Sequence, residues 1–106
     1  MTTISALSSA LSSTTQPRVG PGFRLQWEPV QDCHVLLYPE GMVKLNASAG
    51  EIMKRCDGQR SIAAIAAELE QAFGASGLEG DVIAFVEMAV KQQWLAYDAH
   101  DMTDML

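Results

Sequence analysis

Long hydrophobic runs are absent from this sequence of 106 residues. Its uncharged apolar stretches are far shorter than the roughly 20 residues that cross a bilayer, so no membrane association is expected. Basic residues are also few, because seven Lys and Arg are outnumbered by thirteen Asp and Glu, which gives a net charge of −6 at pH 7. A chain this acidic repels phosphate backbones, so nucleic acid is not an expected partner.

Cysteine and histidine are scarce as well. Cys33 and Cys56 form no CxxC pair and are too few for a disulfide scaffold, so each is interpreted as a small buried side chain. His34 and His100 lie far apart in the sequence, and no residues have metal-ligand spacing. Cys33 and His34 point to opposite faces of one predicted strand, so they cannot act as nucleophile and base on each other. No enzymatic activity, no cofactor and no metal are therefore expected.

Composition divides the chain into three parts. Residues 1–16 are rich in Ser and Thr and carry no charge, which predicts a disordered tail. Residues 17–97 are predicted to form one domain, and residues 98–106 are predicted to be an acidic, frayed tail. The first basic side chain is Arg18, so the sequence lacks the basic start of a secretory signal, and a cytoplasmic location is expected.

Three strands are predicted in the first half of the domain. Arg24–Glu28 alternates apolar and polar residues and is followed by Pro29, which is typical of an edge strand. Cys33–Tyr38 is apolar nearly throughout, which is typical of a central strand. After a Pro-Glu-Gly turn, residues 42–45 return as the third strand. The simplest sheet is an antiparallel one in sequence order, with residues 42–45 at its second edge.

Three helices are predicted to follow the sheet, which makes the fold α+β and similar to a winged helix-turn-helix. Either Ser48, in a capping box with Glu51, or Asn46 begins the first helix. Ser61 is the predicted cap of the second helix. The third is predicted over residues 81–93.

The third predicted helix has more apolar surface than a helix with one buried face needs. Beyond a core stripe, Phe85 and Met88 widen one flank, and Ile83 and Val90 widen the other. Either the helix is sandwiched inside the core or one flank lines a groove. DNA recognition by this helix is a weaker alternative, because acidic side chains outnumber its single Lys91.

The edge formed by residues 42–45 is the best candidate binding site. Its backbone donors and acceptors have no predicted partner, and it lacks proline. Lys44 is its only charged residue, and a charge is one of the features that discourage an edge from pairing with other chains. An extended peptide can pair with such an edge and place alternate side chains in an apolar groove. A second copy of the chain can cover the same edge, so a homodimer is the alternative.

Four segments resemble one family over about residues 17–97. They are residues 24–31 (RLQWEPVQ), 35–46 (VLLYPEGMVKLN), 48–52 (SAGEI) and 56–58 (CDG). The sequence is similar to the PqqD family of pyrroloquinoline quinone (PQQ) biosynthesis. This resemblance implies a non-catalytic, winged-helix-like recognition domain that binds the precursor peptide PqqA and presents it to the radical SAM enzyme PqqE.

The resemblance also implies where the peptide is held. Related recognition domains bind their peptide as an added strand on the third strand, in a cleft closed by the third helix. On this sequence the pairing edge is predicted at Met42, Val43, Lys44 and Leu45. The apolar wall is predicted at Ile83, Val86 and Val90, or else at Phe85 and Met88.

Overall fold

Two small sheets and three helices make up residues 11–98, the part of the chain that the computed structural model describes. In chain order the elements are β1 (Arg18–Val19), β2 (Arg24–Glu28), β3 (Cys33–Tyr38), β4 (Gly41–Lys44), α1 (Ala47–Met53), α2 (Ile62–Phe73), α3 (Glu79–Lys91) and β5 (Leu95–Ala96). The prediction of an α+β fold, with a three-stranded antiparallel sheet followed by three helices, is confirmed. Its likeness to a winged helix-turn-helix stays a prediction.

The larger sheet has the predicted order β2-β3-β4, and both of its strand pairs are antiparallel. β3 is central, and its adjacent residues Val35 and Leu36 are both fully buried. Since neighbouring side chains in a strand point to opposite faces, both faces of the strand are covered at this point. This explains why β3 is apolar along most of its length.

Caps fix the ends of the helices close to their predicted positions. Of the two alternatives for α1, Asn46 is the cap, and its Oδ1 accepts a hydrogen bond of 2.8 Å from the backbone N–H of Ala49. Ser61 caps α2 as predicted, through a 3.1 Å hydrogen bond from Ala64 N–H to its Oγ. Gly74, in the left-handed conformation, ends α2. α3 begins and ends two residues earlier than predicted.

The core lies between the inner face of the sheet and the three helices. Its largest fully buried side chains include Leu36, Met53, Ile62, Ile65 and Val86.

The two cysteines have different environments. Cys56 is part of the core, and burial, reinforced by the charge of Asp57, raises the pKa of its thiol to about 12. Cys33, the first residue of β3, is only half-buried. The prediction of a buried thiol is therefore confirmed for Cys56 and wrong for Cys33, because the end of the hairpin leaves Cys33 partly open to solvent.

A second, two-stranded sheet was not expected from the sequence. β1 pairs antiparallel with β5, with Val19 opposite Leu95, and Gly20 N–H donates to Trp94 O at 2.8 Å. Arg18 also forms a 3.0 Å ion pair with Asp98, the only residue of the predicted acidic tail that lies within the described range. This sheet joins the two ends of the domain.

Part of the predicted N-terminal tail contacts the domain. The carbonyl oxygens of Ser13 and Thr15 accept hydrogen bonds from the N–H groups of Ala63 and Ile62, at 2.9 and 2.8 Å. These bonds satisfy donors in the first turn of α2 that have no partner within the helix. Residues 1–10 and 99–106, which hold the rest of both predicted tails and His100, lie outside the described range.

Two further features bear on function. No helix within residues 11–98 is both long and apolar enough to cross a membrane. Over the same range, no group of three or more His, Cys, Asp or Glu side chains is placed to hold a metal ion.

Candidate functional site

The free edge of the sheet is β4, and its hydrogen-bonding direction follows from one contact. Leu45 N–H donates to His34 O at 3.0 Å, and Leu45 stands opposite His34 in the ladder. In an antiparallel pair, bonded and non-bonded positions alternate. Val43 therefore faces β3 with its N–H and C=O, whereas Met42 and Lys44 direct theirs away from the sheet. The edge thus offers two donors and two acceptors along β4.

An apolar groove runs beside this edge. It has a volume of about 490 Å³, and Lys44, Leu45, Phe85, Met88 and Trp94 are among the residues that line it. We call it the strand groove. Leu45 is buried, Phe85 is half-buried, and Met88 is 39% exposed. An open backbone edge and an apolar wall therefore lie next to each other, which is the arrangement that strand addition requires.

The structure distinguishes the two predicted flanks of α3. Phe85 and Met88 line the strand groove, whereas Val86 is fully buried in the core. Ile83 and Val90 are half-buried against the core and do not line this groove. α3 therefore has its Phe85 flank on the side of β4. Of the two predicted walls, the one formed by Phe85 and Met88 lies beside the β4 edge. The other, formed by Ile83, Val86 and Val90, does not line the groove.

The edge residues also divide by face. The side chains of Val43 and Leu45 point to the core side of the sheet, and Val43 stands opposite Leu36. Met42 and Lys44 point to the other face, although Lys44 still borders the groove. Met42 is 48% exposed. All four predicted edge residues therefore lie at the edge, but only alternate ones face the helices.

Trp94 is a groove residue that the sequence did not identify. Gln93 has a φ of 69° and ends α3, and Trp94 N–H returns to Ala89 O at 2.9 Å. This is the hydrogen-bond pattern of a Schellman motif, which reverses the chain direction. The turn brings the indole to the end of the groove. The position of Trp94 directly after the predicted helix could have marked it as a candidate. The turn itself could not be predicted, because nothing in the sequence indicates that Gln93 adopts a left-handed conformation.

Ion pairs fix α1, which supports one end of the groove, against α2. Arg55 contacts Glu51 at 2.8 Å and Glu68 at 3.2 Å, and Arg60 contacts Glu68 at 2.9 Å. The hydrogen bond from Arg55 holds the pKa of Glu51 below its ordinary value of 4.5, against the opposing effect of burial. Hydrogen bonds from the N–H groups of Gln59 and Arg60 similarly lower the pKa of Asp57.

Comparison with known proteins identifies the family. The family model described as "Coenzyme PQQ synthesis protein D (PqqD)" matches residues 33–95. A curated protein of Pseudomonas aeruginosa, named "PqqA binding protein", is 58% identical over 80 residues, which is 74% of this chain and 87% of that protein. A protein of the same name from Stutzerimonas stutzeri is 48% identical over 88 residues, covering 82% of this chain and 96% of the relative.

A solved structure agrees with this result. The solution NMR structure of the PqqD truncation of Methylobacterium extorquens PqqCD is similar with a TM-score of 0.68 and 29% sequence identity, over 84% of this chain and 97% of that one. It is described as representing a functional and stand-alone recognition element for ribosomally synthesized and post-translationally modified peptides. The family model spans more than half of the sequence, and the chain belongs to the PqqD family.

Proposed function

We propose that this protein is a non-catalytic chaperone that binds the precursor peptide PqqA as an added strand on β4. The name of the curated relatives, "PqqA binding protein", supports the choice of peptide. The description of the similar solved structure as a recognition element supports a binding role. The observation that carries the proposal is the outward-facing backbone of Met42 and Lys44 beside the strand groove.

The register of β4 specifies which peptide side chains enter the groove. Peptide residues opposite Met42 and Lys44 exchange backbone hydrogen bonds with them. Residues opposite Val43 and Leu45 direct their side chains toward the helices, because facing positions in a sheet share a face. The bound segment therefore has apolar side chains at every second position, where they contact Phe85, Met88 and Trp94.

Presentation to the radical SAM enzyme PqqE completes the proposed role. Strand pairing on β4 engages only a short segment, since β4 has four residues. The remainder of the peptide extends beyond the sheet and stays accessible to an enzyme. The resemblance supplies PqqE as that enzyme, and the open geometry of the edge is compatible with it.

The test is a calorimetric titration of the protein with PqqA, with backbone amide shifts followed in the same samples. We expect saturable binding and the largest shifts at residues 42–45 and along the Phe85 flank of α3. Saturable binding with shifts confined to other surfaces would retain the function and reject the site. No binding by the monomeric protein would reject both.

A homodimer through β4 is the second candidate for the same edge, because the outward-facing groups of Met42 and Lys44 fit a second copy equally well. The two candidates predict opposite effects of peptide on mass. If copies pair through β4, adding PqqA shifts the protein toward monomer. If the edge is free for peptide, the mass of the complex equals one chain plus one peptide.

A further inference from the structure

A second apolar pocket lies next to the strand groove. It has a volume of about 310 Å³ and is enclosed by α1, α2 and the start of α3. Ile52, Leu69 and Val82 are buried and form its floor, while Phe73 and Leu78 lie at its mouth. We call it the helix pocket. The edge residues of β4 do not line it, so strand pairing alone leaves it empty.

Two apolar residues at the mouth of the helix pocket, Phe73 and Leu78, adjoin a loop that is held in place. Phe73 is 60% exposed although it is a large aromatic residue, and it is the last residue of α2, directly before the left-handed Gly74. Glu70 anchors the following loop, because its Oε2 accepts a 2.9 Å hydrogen bond from Leu78 N–H and its carbonyl oxygen accepts one from Ala75 N–H. A pocket that is preformed costs little to order when a ligand binds.

The helix pocket is continuous with the strand groove. Ser48, Ile52 and Asp81 line both of them. Lys44 ends β4, and the chain enters α1 only three residues later. A peptide paired with β4 that continues past Lys44 therefore meets Ser48 and Asp81 next, and the helix pocket lies directly beyond them.

Charge further restricts the occupant. The charged residues that line the helix pocket are Glu51 and Asp81, which are both acidic. Glu51 is already paired with Arg55 and Lys54. Asp81 is exposed and takes part in none of the ion pairs found within residues 11–98. A cationic group at the mouth therefore gains a partner, and an anionic group is repelled.

We propose that the helix pocket binds one bulky apolar side chain of the precursor peptide, just outside the segment paired with β4, and that a neighbouring Lys or Arg of the peptide contacts Asp81. This inference rests on the proposed function, because it takes the peptide to be the occupant of the adjoining groove. Recognition then has two parts. The β4 edge and the strand groove bind an extended segment with alternate apolar side chains. The helix pocket adds selection for an apolar and basic pair next to that segment.

The main experiment compares two exposed apolar residues by calorimetry with full-length PqqA. Phe73→Ala removes the mouth of the pocket and is expected to weaken binding about tenfold. Val30→Ala is the matched control, because Val30 is 91% exposed at the β2–β3 turn and lines neither site. It is expected to leave the affinity unchanged. Both positions are exposed, so both variants are expected to fold, which circular dichroism checks.

A shortened peptide separates this inference from the proposed function. A PqqA fragment that retains only the strand-forming segment is expected to bind the wild-type protein and Phe73→Ala equally. Failure of wild-type protein to bind full-length PqqA would overturn the proposed function and this inference together. Equal affinity of wild-type protein and Phe73→Ala for full-length PqqA would overturn the helix pocket and leave strand addition standing.

Two further measurements complete the test. Asp81→Asn is expected to reduce the salt dependence of PqqA binding, and an unchanged dependence would reject the basic neighbour. Mass in solution is measured for the wild-type protein and Phe73→Ala without peptide. A drop from dimer to monomer on substitution would assign the pocket to a second copy of the chain and overturn its assignment to peptide.

Discussion

The two edges of the three-stranded sheet are built differently. By the alternation along the ladders, β2 directs the backbone groups of Leu25 and Trp27 outward, much as β4 directs those of Met42 and Lys44. The edge at β2 has charged residues at both ends, Arg24 and Glu28, and Pro29 directly follows it. The edge at β4 instead adjoins an apolar groove. Free backbone groups are common to both edges, and at β4 they lie beside the strand groove.

The difference indicates that the β2 edge is protected against pairing with other chains, whereas the β4 edge is suited to binding a peptide. Charged ends and a following proline discourage a strand from pairing with other chains. In strand addition, main-chain hydrogen bonds supply affinity, and pockets for alternate side chains supply specificity. β2 has the protective features and β4 has the strand groove beside it, so we expect the peptide to bind at the β4 edge.

The largest expected effect comes from proline at the β4 edge. Lys44→Pro removes an outward N–H without breaking a bond to β3, and its ring displaces the paired strand, so PqqA affinity should fall by about 2 kcal/mol, roughly thirtyfold. Trp27→Pro makes the matched change at the β2 edge and should leave affinity unchanged in the folded protein. Calorimetry measures both. Equal losses at the two edges would contradict the comparison.

Truncating a residue that lines the strand groove should leave the β4 edge without part of its apolar wall and weaken peptide binding there. Phe85→Ala removes apolar contact from the strand groove, and an affinity loss of about tenfold is expected. Ile83→Ala is the control on the opposite flank of α3, which does not line the groove. Thermal melts of both variants separate stability from binding. A larger affinity loss in Ile83→Ala would assign the site to the other flank.

A smaller effect is expected from a change remote from both edges. A Cβ on Gly20 would lie against the carbonyl oxygen of Gln93, well inside contact distance, so Gly20→Ala must separate β1 from β5. We expect a stability loss of about 1–3 kcal/mol and a few-fold loss of PqqA affinity, because Trp94 moves with β5. A Trp27→Phe background leaves Trp94 fluorescence as the reporter. An unchanged emission spectrum would show that the small sheet does not position Trp94.

The smallest expected effect is on thiol reactivity. Cys33 is half-buried beside β2, whereas the pKa of Cys56 is raised to about 12 by burial, so Cys33 should react first with a thiol reagent and Cys56 only on unfolding. Saturating PqqA should leave the Cys33 rate nearly unchanged if peptide binds at β4. Strong protection of Cys33 would place the peptide at the β2 edge instead.

Local patterns predicted most of the larger sheet and the helices. The alternation in β2, the continuous apolar run in β3 and the cap at Ser61 act over a few residues, so they can be predicted without the rest of the fold. For α1 the local pattern left Ser48 and Asn46 as alternatives, and Asn46 is the cap. The edge at β4 followed from the order of the strands. Each of these features depends on short-range backbone chemistry or on one buried face.

Three features depend on long-range packing and could not be predicted from the sequence: the flank of α3 that lines the strand groove, the pairing of β1 with β5, and the position of Trp94. Which flank of α3 lines the strand groove depends on how that helix packs against the rest of the fold, and the two flanks are similarly apolar in sequence. β1 has only two residues, and its partner β5 is far away along the chain, so neither has a strand pattern of its own. Trp94 reaches the groove through the turn at Gln93, a residue type that seldom adopts a positive φ.

The pairing of β1 with β5 has a consequence for how the domain can be carried in larger proteins. β1 and β5 lie near the two ends of the domain, and their antiparallel pairing places Arg18 opposite Ala96. A unit whose entrance and exit adjoin can be joined to, or inserted into, another polypeptide without pulling its own ends apart.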